Sequence, residues 1–557
     1  MSTQSTPARL LADEFVTFRL STEHDWALWA GDLTHLEEWP DVSDMGVESR
    51  LASLTEFADR AENLVSDSSE DQTLLDTIAF TGRSQALQLR FRPDLEWVNH
   101  TGGIFSQILT FLPRFPLVTN DHGERYLEKV KRLPGFLDGW SSRLQRASER
   151  GVVPIMHLVS ALASSLDRHL AVPVSAGPLS QQPPPTSLTD TEAWTARLHP
   201  LLDALTPALA RLRATLVDHT LPVARPDQSP GLVHLEGGRD HYEELVWAYT
   251  SLDFTAEQVH EIGRQQVERL EREYQEIAGP QLGTSDIAEI YRRLRDDVAL
   301  HYSDAETLVA DAMTALEKAT TAASDWFGVL PKAPCVPLSI EQGSLAFYSR
   351  PARDGSKPGR FFFNTSDPTM WGTFQLEAVT YHEGVPGHHL QLAIAQENPE
   401  LHHLLADYYI AAYNEGWGLY TERLADEMGL YSSELDRVGM LSADSMRACR
   451  LVVDTGLHAL GWSRDQAIEY MVAHSPMSRT QVEGEIDRYI GSPGQALGYM
   501  MGRLEIDRIR AEAQATLGAQ FDIKRFHDVV LSTGSVPIST LRRVVADWLQ
   551  SSAAGAG

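Results

Sequence analysis

A His-Glu pair, a His-His pair and two later glutamates carry the chemistry this sequence can do. His382-Glu383 is followed six residues on by His388-His389, and Glu415 and Glu422 come next in the chain. Imidazoles, a carboxylate beside the first of them and a later glutamate are the donor set of a hydrolytic zinc site. In a His-Glu-x-x-His helix the two histidines share a face about 6 Å apart along the axis, and the glutamate serves as base. The spacing here is longer. His382 to His388 is a step of six and His382 to His389 a step of seven, so a straight helix would turn the first away and carry the second about 10 Å along the axis. Gly384-Val385-Pro386-Gly387 lies between them, and a proline flanked by glycines interrupts a helix and bends it. Such a bend brings one late imidazole back beside His382. His388 is the smaller departure from the regular motif, with His389 left as the alternative ligand, a supporting donor or a substrate contact.

Glu415 is the expected third ligand, and Glu422, seven residues on, shares its helix face. Gly416 and Gly418 beside it allow close approach of another backbone or of a substrate. The expected chemistry is hydrolytic: His382, His388 and Glu415 hold Zn²⁺, the metal lowers the pKa of a bound water, and Glu383 moves its proton to the leaving amine. Tyr489 and Tyr499 are candidate phenols for a developing oxyanion. Arg488 and Gln495 cluster with them around Pro493-Gly494, and Arg447, Arg450, Asp454 and His458 fall on one helix. Asp454 and His458, four apart, are placed to orient each other. An arginine at the cleft can fork onto a substrate carboxylate, and an internal salt-bridge network is the competing reading of this group.

Mostly helices must position these residues. Up to about residue 330 apolar residues recur at three and four, with Gly or Pro at the stops. Thr255 and Gln258 read as a capping box opening a helix with the stripe Val259, Ile262, Val267, Leu270, Tyr274 and Ile277, ended by Gly279-Pro280. Ser303 and Glu306 read as the start of another through Leu308, Met313 and Leu316. Residues 172–189 are Pro-rich and read as a surface loop within this helical region. After residue 331 the segments 336–340, 345–349 and 360–364 are rich in branched and aromatic residues, with a turn-like joint over 354–359. They predict a small antiparallel sheet next to the active-site helix. The organisation expected is an N-terminal helical region, 1–330, and a catalytic region, 331–557.

The 557 residues carry 47 Lys plus Arg against 77 Asp plus Glu, a formal charge of −30, which repels phosphate backbones and argues against a nucleic-acid partner. Two cysteines, Cys335 and Cys449, are too few for a disulfide framework or a thiolate cluster, so a metal must be held by His and carboxylate. No basic start with an apolar core is visible at the N-terminus and no run of about 18 apolar residues occurs. These readings predict a cytoplasmic protein without a membrane partner.

The sequence resembles a bacterial family catalogued as domain of unknown function 885, itself similar to the glutamate-zincin metallopeptidases. The likeness is carried by residues 382–391, Asn414 to Trp417, Arg450 to His458, and Arg488-Tyr489 through Pro493 to Ala496. Phe363-Asn364-Thr365, Ile262-Gly263 and Val267-Glu268-Arg269 extend it over most of the chain. The resemblance implies a large, two-lobed helical metallopeptidase-like fold with a deep cleft, acting on short peptides in the manner of oligopeptidases and peptidyl-dipeptidases. A dipeptidase, carboxypeptidase or oligopeptidase all fit. Amidase action on a non-peptide amide, and peptide binding without cleavage around a structural metal or none, are the alternatives.

Overall fold

The computed structural model describes residues 6–23, 32–341, 345–353 and 355–554. Helices dominate, as the periodicity requires, and their starts follow side-chain chemistry. Thr255 Oγ1 accepts from the Gln258 amide at 3.3 Å, while Gln258 Oε1 accepts from the Thr255 amide at 2.9 Å. The helix Ala256–Leu282 that this box opens runs past Gly279-Pro280 and ends where Gly283 adopts φ +65°. A left-handed residue, not the proline, stops it. The helix Ala305–Ala322 is capped by Asp304 and not by Ser303, because the Asp304 carboxylate takes the Thr307 amide at 2.8 Å. Met313, assigned to its apolar stripe, is 56% exposed; Leu308, Ala312, Ala315, Leu316 and Ala319 form the inner face instead.

The sheet has three strands, β1 (Cys335–Ile340), β2 (Ala346–Ser349) and β3 (Gly359–Asn364), in the order β1-β3-β2. It is mixed rather than antiparallel: β3 runs antiparallel to β2, with Ala346 opposite Phe363, and parallel to β1, with Cys335 opposite Gly359. The reason lies in β3. Its alternate residues Phe361 and Phe363 are fully buried with Trp371 and Leu376, so this strand takes the centre and the half-exposed β1 and β2 take the edges. Asp354, placed in the β2–β3 joint, lies outside the described residues, as do residues 1–5 of the N-terminal stretch.

Two larger cores hold the helices. The main one runs from Ala8 and Phe15 through the 256–282 and 434–458 helices to Val545 and Leu549. The second gathers Tyr126, Trp140, Leu162, Trp194 and Leu212 from helices between residues 120 and 214. Within residues 172–189 only two single 3-10 turns form, Val174–Ala176 and Pro178–Gln181, yet Val174 and Leu179 face inward. Gln182 ties that stretch down by accepting from the Phe115 amide at 3.1 Å and donating to its carbonyl at 3.0 Å.

Candidate metal centre

The helix carrying His382, Leu376–Glu383, stops at Gly384, and a second one, His388–Glu397, starts four residues later. Between them the Val385–Pro386 peptide is cis, and Trp417 Nε1 donates to the Pro386 carbonyl at 3.1 Å, fixing the reversal onto the next helix. Gly387 makes the turn possible, since a Cβ there would lie 1.9 Å from the His382 carbonyl oxygen. The result is that His382 and His388 face each other, ring centroids 4.8 Å apart and planes at 86°.

Glu415 arrives from the helix Ala411–Glu427. Its Oε2 lies 3.5 Å from His382 Nε2 and 3.7 Å from His388 Nε2. One donor atom from each of the three residues lies within 4.8 Å of the others, so the group is able to hold a metal ion. Ligand atoms around a tetrahedral ion with bonds of about 2.1 Å stand about 3.4 Å apart, so small side-chain rotations close the set. His382 Nδ1 donates to Glu422 Oε1 at 2.8 Å, which leaves Nε2 as the lone pair offered to a cation. Gly418 sits under that imidazole: a Cβ there would be 2.6 Å from the ring.

The electrostatics favour positive charge at this point. Burial pushes His382 down, yet hydrogen bonds to Glu415 and Glu422 outweigh it and raise the imidazole to about 9. Burial likewise pushes Glu415 up, and the two histidines reverse that and hold its carboxyl well below the usual range. Glu383 is raised above ordinary glutamate, chiefly by burial and further by Glu415, while His388, His382 and Arg447 oppose the rise. A carboxyl so raised is suited to accept and return a proton.

Of the two late histidines, His388 joins the group and His389 does not. His389 is 1% exposed and turned toward the sheet, with Nδ1 accepting from Tyr348 Oη and Nε2 donating to the Ala333 carbonyl, both at 3.0 Å. It fastens β2 and the approach to β1, with both ring nitrogens engaged. Asp454 and His458 do not orient each other. Asp454 Oδ1 accepts from Tyr242 Oη at 2.5 Å and from the Gly494 amide at 3.0 Å, whereas His458 accepts from the Leu232 amide and donates to the Tyr489 carbonyl. Their partners are one buried hydroxyl, Tyr242, and backbone groups of Leu232, Tyr489 and Gly494 that the core would otherwise leave to be satisfied elsewhere. The Tyr489 hydroxyl accepts from Arg450 Nε at 2.8 Å and donates to Glu485, so its proton is committed. Arg488 holds Glu485 and Gln495. Tyr499 is half-buried beneath Arg450, whose guanidinium lies 4.5 Å from its ring centre.

Tyr409 escaped the sequence reading. Its hydroxyl donates to Glu415 Oε1 at 2.6 Å. It is 39% exposed, yet desolvation, reinforced by Glu415, holds its phenol well above 10. Six residues before Glu415 and ahead of the helix start, it falls outside any helical periodicity; only a tyrosine pair just before the acidic motif marks it.

Solved structures share this architecture. A chain from Colwellia psychrerythraea, described as a "putative lipoprotein", superposes with a TM-score of 0.90 at 25% identity, over 98% of this chain and 99% of that one. A second, a "putative lipoprotein of unknown function" from Shewanella oneidensis, gives 0.73 at 20% identity, over 97% and 100%, and shows the fold alone. The likeness to the Colwellia chain, described as a lipoprotein, overturns the cytoplasmic expectation, which rested on seeing neither a leader nor a long apolar run. Among the described residues no helix is long and apolar enough to cross a membrane. None of the curated proteins matches the chain. A family model matches residues 25–545, and the chain belongs to the family described as bacterial protein of unknown function (DUF885).

Proposed function

We propose that this protein is a zinc-dependent hydrolase that cleaves peptide bonds in short peptides, working at the cell envelope as the description of its structural relatives suggests. The single observation that carries the reading is the convergence of His382, His388 and Glu415, with Glu383 at its side. Two imidazoles and one carboxylate are a donor set of catalytic zinc, which keeps a position open for reaction. When bound, zinc acts as a Lewis acid on the scissile carbonyl and makes a water molecule more acidic.

The chain's own residues do the rest. Glu422 holds His382 in the tautomer and orientation a ligand needs. Glu383 takes a proton from the attacking water and delivers it to the departing amine. Tyr409 keeps Glu415 in place through its short hydrogen bond, and Tyr499 is the phenol left to donate to the oxyanion, since Tyr489 is spent on Glu485.

The test is a pair of measurements on Glu383→Gln. The variant is expected to bind zinc as the parent does and to lose peptide hydrolysis by about 10²–10⁴-fold. Full activity in the variant rules Glu383 out as the base, and a zinc-loaded parent that cleaves no peptide in a mixed di- and tripeptide library rules out the peptidase reading.

A further inference from the structure

Three arginines gather around Tyr489 and Tyr499 with a single carboxylate between them. Arg447 and Arg450 are three apart on the helix Glu434–His458, so both project from the same side. Arg488 comes from the helix Arg479–Gly491. Glu485 pairs with Arg450 and with Arg488, each at 2.9 Å. Arg447 has no carboxylate within 4.0 Å among the described residues, and only its Nη1 is used, on the Ala443 carbonyl at 3.3 Å. Arg447 Nε and Arg450 Nη1 are both buried and without a hydrogen-bond partner. The Arg450 side chain is 6% exposed.

This is an unbalanced charge in a protein whose formal charge is −30. Arg450 is buried and Arg447 half-buried, so their two unpartnered N–H groups carry a desolvation cost that an anion binding there would relieve. The metal centre's carboxylates do not relieve it: Glu383 and Glu415 face a divalent cation when one is bound. The cluster nevertheless adjoins that centre. Both Arg447 and Arg450 lie over the ring of Tyr499, at 5.8 and 4.5 Å from its centre. Tyr499 precedes Gly502 by about one turn on the helix Gly498–Leu517, and Gly502 packs against Gly416, the neighbour of Glu415, so closely that a Cβ at 416 would lie 2.6 Å from the Gly502 carbonyl carbon. Tyr499, which carries both arginines over its ring, therefore lies on the helix packed directly against the one that holds Glu415.

We infer that Arg447 and Arg450, flanking Tyr499, bind the C-terminal carboxylate of the substrate, which makes the cleft selective for peptides ending close beyond the scissile bond. The two unused N–H groups supply the donors a carboxylate accepts. The inference takes its chemistry from the hydrolase reading and adds the substrate class: peptides with a free carboxyl end, trimmed from that end. Arg447 and Arg450 bind and position; they exchange no proton.

The experiment uses the full chain and two equimolar tripeptide mixtures of identical sequences, one with free C-terminal carboxylates and one as C-terminal amides. Zinc-loaded protein is expected to consume the free acids at least about tenfold faster, through KM, and Arg447→Met is expected to erase that preference while Arg447→Lys retains part of it. Equal consumption of acids and amides, or a preference unchanged in Arg447→Met, overturns the inference. Should neither mixture be cleaved, the hydrolase reading falls by itself, and binding decides this one: the acid mixture, but not the amide mixture, is expected to raise the melting temperature of the parent and not of Arg447→Met. Equal shifts with both mixtures, or none, overturn it. The circular dichroism of Arg447→Met, matched to the parent, distinguishes a lost contact from a lost fold.

Discussion

His382 is held from two sides, by Glu422 on Nδ1 and by Glu415 facing Nε2, and this separates the two glutamates by role. Glu415 faces both imidazoles, whereas Glu422 is 1% exposed and touches only the far nitrogen of one. Removing an outer carboxylate of this kind lowers metal affinity about 10- to 100-fold without removing a ligand. Glu422→Ala is therefore expected to weaken zinc by that factor in a competition titration with a chelator, while Glu415→Ala abolishes stoichiometric binding. At this scale the sequence was informative. The shared face of Glu415 and Glu422 follows from helix spacing, and the preference for His388 from the break that Gly384-Val385-Pro386-Gly387 imposes between two helices. The identities of the hydroxyl at Glu415, Tyr409, and of the partners of Asp454 and His458 do not, because those contacts join loops and helices distant in the chain.

Helices in contact set the ligand geometry through the residues that let them approach. Gly418 is the sharpest case. In the middle of a helix glycine is worse than alanine by about 1 kcal/mol, so if Gly418 had no geometric duty, Gly418→Ala would stabilise the protein. A Cβ at this position instead meets the His382 ring at 2.6–3.0 Å, and the variant is expected to lose zinc affinity at unchanged helix content. Unaltered affinity together with a raised melting temperature would show that the imidazole does not lie where it is described. The sequence announced close approach at Gly416 and Gly418 but could not say to what. The strand order was hidden for a related reason: period-two patterns give segments and faces, whereas the central place of β3 depends on Phe361 and Phe363 meeting Trp371 and Leu376. Helix ends were misjudged where a stronger acceptor, Asp304, sat one residue from the expected cap, and where a left-handed glycine lay beyond a proline.

Over the whole molecule, the neutral histidines of the core tie stability to pH. Burial drives His458 and His527 down to about 3 and His389 to about 4, against about 6.5 in an unfolded chain. Each is uncharged in the fold and takes up a proton on unfolding, so its contribution is complete above pH 6.5 and is lost progressively as pH falls towards the folded value. The slope is up to about 1.4 kcal/mol per pH unit for each. Buried carboxyls that burial lifts to about 7, Glu96 and Asp454, act in the opposite sense over the same range, so the comparison must be made one residue at a time. His527 accepts from Tyr420 Oη at 2.8 Å and donates to the Trp326 carbonyl at 2.9 Å, a pattern an amide reproduces. Between pH 6.5 and 5, His527→Gln is expected to lose about 2 kcal/mol less stability than the parent in urea titrations. Equal losses would mean that this histidine is not neutral in the fold.

Everything said of the site rests on where a metal goes. The most direct measurement is a zinc-edge anomalous difference map from crystals of zinc-loaded protein. The account predicts one dominant peak within about 2.2 Å of His382 Nε2, His388 Nε2 and a Glu415 oxygen, with His389 still bonded to Tyr348. A peak on other residues, a peak ligated by His389, or no peak between these three side chains would contradict it.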